Sequence, residues 1–121
     1  MANILNRQHY HKGDRIFRTG DGATSAFFIQ AGSVDIIVGQ GDAETVVSTL
    51  GPGEIFGEMA LLDDAPRSAA AMARESTTCV LITRTNFQKR IDKSDAFIRA
   101  LLQLLTRRLR ETTSAAQTKT D

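Results

Sequence analysis

The sequence of 121 residues has no tryptophan, one tyrosine, two prolines and a single cysteine. One cysteine, Cys79, can neither close an internal disulfide nor build a zinc-type cluster, so the chain suits a reducing compartment. No apolar run approaches the roughly 18 residues of a membrane span, and Met1 to Arg7 lacks the apolar stretch of a secretory signal. Neither sign of charge dominates: 15 Lys plus Arg stand against 14 Asp plus Glu, a formal net charge of +1. The bulk attraction that draws nucleic-acid and anionic-membrane binders to their partners is therefore missing. These absences predict a soluble cytoplasmic chain with no direct nucleic-acid partner and no membrane segment.

What is present is 41% hydrophobic residues, enough for one core, in a length that suits one domain. Glycines punctuate the first half, separating short β-branched and aromatic segments about 7 to 12 residues apart, the rhythm of an all-β sandwich or barrel. The clearest expected strands are Ala26 to Gln30, Ser33 to Val38, Thr45 to Leu50 and Thr77 to Ile82. Weaker ones are Arg15 to Phe17 and Ala69 to Ala73. Alternation puts Val34, Ile36 and Val38 on one face, which is expected to line the interior. Gly39 to Asp42 reads as a hairpin tip.

After Thr83 the period becomes helical. Thr85-Asn86-Phe87-Gln88 fits a capping box opening a short helix through about Ile91. Ser94 is the expected N-cap of a second helix, whose stripe of Phe97, Ile98, Leu101, Leu102, Leu104, Leu105 and Leu109 must bury against something. From Thr112 to Asp121 the Ser/Thr/Ala-rich sequence loses periodicity and reads as a polar tail, giving a domain over 1–111 and a tail over 112–121.

The informative stretch is Phe56-Gly57-Glu58-Met59-Ala60-Leu61, followed by Pro66-Arg67-Ser68-Ala69. Gly57 permits a sharp turn, and Glu58 to Leu62 favour one helical turn with exposed amides, a geometry that suits an anion. The loop closed by Pro66 can return Arg67 to that turn, where a guanidinium would pair with phosphate oxygens and Ser68 would add a hydroxyl. Glu58 would repel a phosphate unless it faced a donor, and a sugar hydroxyl is such a donor. The set points to a nucleotide with few phosphate charges and an accessible 2′-hydroxyl.

Those residues resemble the phosphate-binding cassette of the cyclic nucleotide-binding domain family, which includes the bacterial catabolite activator, kinase regulatory subunits and cyclic-nucleotide-gated channels. Gly13-Asp14, Thr19-Gly20-Asp21, Phe27-Phe28-Ile29, Gly32-Ser33-Val34 and Leu50-Gly51-Pro52-Gly53 extend the likeness from about Tyr10 to Arg110. The resemblance implies a mainly β fold: an eight-stranded β-roll of jelly-roll type with C-terminal helices packed on it. It also implies that Glu58 accepts the ribose 2′-hydroxyl and that Arg67 neutralises the cyclic phosphate. Backbone amides at Gly57, Met59, Ala60 and Ala69 would help hold the phosphate in the ligand-binding segment that Phe56 opens, Ser68 would touch phosphate or base, and Ile36 would pack on base or sugar. Serine rather than threonine at position 68 leans towards cyclic AMP over cyclic GMP. The last helix resembles the family's lid, with Arg108 able to pair with Glu58 and Thr112-Thr113 placed to reach the base.

Two departures accompany the likeness: Ala70-Ala71 weakens the cassette strand, and only about ten residues precede Lys12, as expected of a trimmed or minimal version. His9 and His11 alternate on one strand face, but no third ligand stands at a convincing spacing, so surface polar residues and no metal are expected. Arg107, Arg108 and Arg110 read as a solvated helix face, and Cys79 as a small core residue. No set of nucleophile, base and orienting group lies near the cassette, so no enzyme and no prosthetic group are expected. The expectation is a cyclic-nucleotide sensor whose C-terminal helix responds to ligand, with a homodimer or a downstream effector as partner. The alternative is a ligand-free β-roll used for interaction or dimerisation.

Overall fold

The computed structural model describes residues 6–61 and 65–119, without the side chains of 109–110 and 112–119. Eight strands run in the order β1 (Asn6–Tyr10), β2 (Arg15–Phe17), β3 (Ser25–Ala31), β4 (Val34–Val38), β5 (Thr45–Leu50), β6 (Ile55–Phe56), β7 (Ala70–Ala73) and β8 (Thr77–Thr83). They form two antiparallel four-stranded sheets, β1-β8-β3-β6 and β2-β7-β4-β5. This is the eight-stranded β-roll that the resemblance implies.

The core explains the layering. Phe27 and Ile29 of β3, Val34 of β4, Phe56 of β6, Ala71 of β7 and Cys79 of β8 are buried together, flanked by Tyr10, Ile16, Phe17, Ile36, Leu50 and Leu81. Every strand thus gives at least one side chain to a single apolar cluster drawn from both sheets, and burying a residue such as Ile29 contributes about 1.5–3 kcal/mol. The alanines of β7 are fully buried despite their low strand propensity, because β7 is hydrogen-bonded on both sides, to β2 and β4.

The expected inward face of β4 holds for Val34 and Ile36 but not for Val38, which is exposed, while Ile37 is buried. The pairing of β4 with β5 slips between Ile36 and Ile37, so simple alternation does not carry through to the strand end. The sequence reading passed over β1, whose Asn-Arg-Gln-His-Tyr carries no apolar alternation, and the two-residue β6. In β1, His9 has one ring nitrogen 3.2 Å from Thr78 Oγ1 and the other 3.2 Å from Ser76 Oγ, and it packs edge-on against His11. Among the described residues no group of three His, Cys, Asp or Glu is placed to hold a metal ion.

The crossings between sheets are fastened at Gly32. Its φ is +93°, and a Cβ there would lie 2.4 Å from both the Ser76 carbonyl oxygen and Thr77 Oγ1. Close approach lets the buried Thr77 hydroxyl accept the Ser33 N–H at 3.2 Å and sit within donating distance of the Ser33 and Glu75 carbonyls, at 3.0 and 2.8 Å. The link from β3 to β4 is thereby locked to the link from β7 to β8.

By its contacts the chain divides into residues 1–84 and 85–121. The second unit holds α1 (Arg84–Asp92), which starts one residue before the division, and α2 (Ala96–Lys119). Four sequence expectations are corrected here. Helix α1 follows β8 directly, so Thr85 lies inside it and cannot cap it; Gln88 Nε2 instead donates to Asp92 Oδ1 at 2.9 Å. Asp95, not Ser94, caps α2, accepting the Ile98 N–H at 2.9 Å, while the Ser94 hydroxyl donates back to the Ile91 carbonyl at 2.5 Å and closes α1. Helix α2 continues past Thr112 to Lys119, where Ala115, Ala116, Gln117 and Lys119 are good helix formers. Most of the apolar stripe is exposed: Phe97 is 74% exposed, Ile98, Leu101, Leu104 and Leu105 are exposed too, Leu102 is half-buried, and the side chain of Leu109 lies outside the described residues. A unit of two helices, the shorter without a buried residue, has too little surface of its own to cover the stripe. No helix among the described residues is long and apolar enough to cross a membrane.

Two consequences can be measured. Gly32→Ala forces a side chain into backbone at a left-handed φ and is expected to cost about 2–4 kcal/mol of stability by chemical denaturation; a cost under about 0.5 kcal/mol would contradict the packing described. Burial pushes the Cys79 thiol from 9.0 up to about 11, so the folded state keeps a proton that the unfolded chain releases. That contribution is complete below pH 9 and is lost as pH rises towards 11. Stability should therefore fall more steeply between pH 8 and 10.5 in the wild type than in Cys79→Ala, and parallel losses would rule this out.

Candidate functional site

The site is built outward from Gly57, where β6 ends. Phe56 anchors the approach: it is buried and stacks on Phe27 with ring centroids 5.0 Å apart and planes 11° from parallel. Gly57 then turns at φ +71° into a 3-10 turn, Glu58–Leu61, closed by the Ala60 N–H on the Gly57 carbonyl at 3.2 Å. The single helical turn expected after Gly57 is thus present. Ala60 is buried beneath it, Met59 is half-buried, and the Glu58 carboxylate is exposed.

Arg67 returns to this turn as its position predicted, but it is a buried residue, 9% exposed. Its backbone is held in both directions by the Thr19-Gly20-Asp21 loop: Gly20 N–H donates to the Arg67 carbonyl and Arg67 N–H to the Asp21 carbonyl, each at 2.8 Å. The guanidinium lies over the Phe17 ring, 4.1 Å from its centroid, and 5.7 Å from that of Phe27. Nη1 donates to the Gly57 carbonyl at 3.0 Å and Nη2 to the Ser25 carbonyl at 2.6 Å, whereas Nε is buried with no partner among the described residues. A Cβ on Gly57 would stand 2.7 Å from Nη1, so only glycine admits the guanidinium at this distance.

Electrostatically Arg67 is unusual. Burial lowers its pKa, and the negative charges of Asp21 and then Glu58 oppose that shift. Among the described residues no carboxylate lies within ion-pair distance of it; the ion pair seen, Arg15 with Glu44 at 2.9 Å, is elsewhere. A guanidinium keeps its charge under any ordinary condition, and a buried charge without a counter-ion is costly. Two backbone carbonyls orient this one without neutralising it, and three of its five N–H donors are not used by them.

Around this cation, Ser68 is exposed and Ala69 half-buried in the bend that leads into β7. Ile36 is half-buried against the core on the neighbouring strand, opposite Ala71. The structure thus brings Phe56, Gly57, Ala60 and Arg67 together, with Glu58 acting on Arg67 through its charge. Arg108 is an exposed residue of α2 in the second unit, and the side chains of Thr112 and Thr113 lie outside the described residues.

Sequence reasoning missed three participants. Phe17, read only as part of a weak strand, is the platform under Arg67. The Ser25 carbonyl, a backbone group with no sequence signal, fixes Nη2. Arg84 sends Nε and Nη2 to the Ala60 carbonyl at 3.0 and 2.8 Å, a partner 24 positions back that no local pattern announces.

Comparison with known proteins agrees with this geometry. The cyclic nucleotide-binding domain family matches residues 7–94. The cyclic AMP receptor protein of Thermus thermophilus is 38% identical over 110 residues, covering 90% of this chain and 51% of that protein. The type II regulatory subunit of cAMP-dependent protein kinase from Drosophila melanogaster is 41% identical over 73 residues, 60% of this chain and 19% of the subunit. The chain therefore spans about half of the first relative and a fifth of the second. Among solved structures, the EAL enzyme Bd1971 in a half-site-occupied form superposes with a TM-score of 0.84 at 34% identity, covering 91% of this chain and 99% of that one. With the eight-stranded roll, the Gly57 turn and the returning arginine all in place, this chain belongs to the cyclic nucleotide-binding domain family.

Proposed function

We propose that the Phe56–Ala69 segment binds a cyclic nucleotide, cyclic AMP in preference to cyclic GMP, and that the protein is a non-catalytic sensor. The observation that carries this reading is Arg67, a buried guanidinium with an unpartnered Nε and no carboxylate beside it among the described residues. The anion has to be small in charge. A cyclic phosphate carries one negative charge, whereas a phosphate monoester carries about 1.5 to 2 at neutral pH and would meet Glu58 as well as Arg67. Exposed Glu58 is suited to accept a ribose hydroxyl, Ser68 to donate to phosphate or base, and the half-buried Ile36 to pack on base or sugar. Amides at Gly57, Met59, Ala60 and Ala69 complete the set we assign. Arg108, Thr112 and Thr113 belong to the proposed response of the C-terminal helix, which ligand shifts only by its differential affinity for two states.

Arg67 carries more structure than a surface residue would, so the informative variant keeps its charge. Arg67→Lys loses the planar fork and is expected to weaken cyclic AMP binding by about 2 kcal/mol, roughly 30-fold, in calorimetric titrations that include cyclic GMP and 5′-AMP. Unchanged affinity in a folded variant would sink the assignment.

The exposed stripe of α2 favours a second property alongside the first. Phe97, Ile98, Leu101, Leu104 and Leu105 form more apolar surface than a solvated helix needs, and we assign it to association with a second copy or a downstream effector. Sedimentation equilibrium should show a dimer that Leu101→Glu combined with Leu105→Glu dissociates. A wild-type monomer across micromolar concentrations would remove the second-copy reading.

A further inference from the structure

We propose that Arg84 is a positioning residue of the nucleotide site, acting through the Ala60 carbonyl; this rests on the reading of Arg67 and Gly57 given above. The turn it grips is weak by itself. Glu58–Leu61 is four residues of 3-10 helix, and its internal closure is the 3.2 Å bond from the Ala60 N–H to the Gly57 carbonyl. Short 3-10 segments have poor hydrogen-bond geometry, and one turn is below the length at which helices sustain themselves. External groups must hold it.

Two arginines do so, one at each end. Arg67 Nη1 holds the Gly57 carbonyl at the start of the turn. Arg84 approaches the other end with a fork, Nε at 3.0 Å and Nη2 at 2.8 Å, both on the Ala60 carbonyl oxygen. Charged donors make the stronger hydrogen bonds, and a planar fork on one oxygen fixes direction as well as distance. Ala60 is buried, so its carbonyl has little water to replace that fork. Because the N–H of the same residue closes the turn, shifting Ala60 displaces the backbone carrying Glu58 and Met59. Arg84 is the first residue of α1 and the last of the β unit, so the contact lies wholly inside the unit that holds the cassette.

The test compares Arg84→Gln, Arg84→Lys and Arg67→Lys in the full chain, with cyclic AMP as the probe. Calorimetry gives affinity, thermal unfolding without nucleotide gives stability, and the carbonyl carbon shift of Ala60 gives a local signature. Arg84→Gln is expected to weaken binding at least fivefold and to move the Ala60 shift, while Arg84→Lys, with its charge but no fork, recovers part of both. A lowered melting temperature with affinity within twofold of wild type would make Arg84 merely structural and overturn the proposal. If Arg84→Gln does not fold, the same criteria apply to Arg84→Lys. Unchanged binding in Arg67→Lys counts against the nucleotide reading itself, whereas loss there with none at Arg84 counts against this inference alone.

Discussion

Everything about the proposed site depends on a guanidinium that is buried, oriented and, among the described residues, not neutralised by a carboxylate. A carboxylate partner would have made Arg67 cheaper to bury, but a phosphate would then have had to displace it. Carbonyl oxygens of Gly57 and Ser25 supply direction through dipoles, at 3.0 and 2.6 Å, and leave the full charge available. Phe17 supports the flat face at 4.1 Å without competing for donors. The cation is thus arranged in advance, and an arriving anion meets little of the ordering cost that a solvated arginine would impose.

The scaffold exists to hold two loops against each other at that point. Arg67 comes from the segment before β7 in one sheet, and Gly57 follows β6 in the other. Their contact requires that the sheets keep their spacing, which the shared cluster of Phe27, Ile29, Val34, Phe56 and Ala71 enforces. Phe27 serves both purposes, since its ring stacks on Phe56 in the core and also borders the arginine.

Much of this was legible in the sequence. Apolar β-branched segments between glycines gave β3, β4, β5 and β8 to within a residue at most ends, and the Gly57 and Arg67 motifs located the two halves of the site. What escaped has a physical pattern. Strand β1 is an edge strand held mainly by pairing with β8, with Tyr10 alone reaching the core, so no periodicity marks it. The helix caps slipped because β8 runs into α1 without a loop, which puts Thr85 inside the helix, and because Asp95 competes with Ser94 for the same role. Burial of Arg67 escaped because charge suggested surface, while the partners that make it tolerable are backbone carbonyls and a ring, none of which has a spacing rule. Arg84 escaped for the same reason: its partner is the Ala60 carbonyl.

Strain by itself does not distinguish function here. Gly32 and Gly57 are alike in backbone, with φ of +93° and +71° and no room for a Cβ. At Gly32 the close approach satisfies everything it touches: Thr77 Oγ1 meets Ser33 and Glu75, and the Ser33 hydroxyl meets Glu75 Oε2 at 2.7 Å. At Gly57 the same device delivers a buried donor, Arg67 Nε, that the described residues leave unmatched. A folded chain gains nothing from that imbalance, since an unmatched buried donor costs about 1–3 kcal/mol, more when it is charged. Its position at the mouth of a short turn, beside exposed Glu58 and Ser68, supports the anionic ligand proposed for this site.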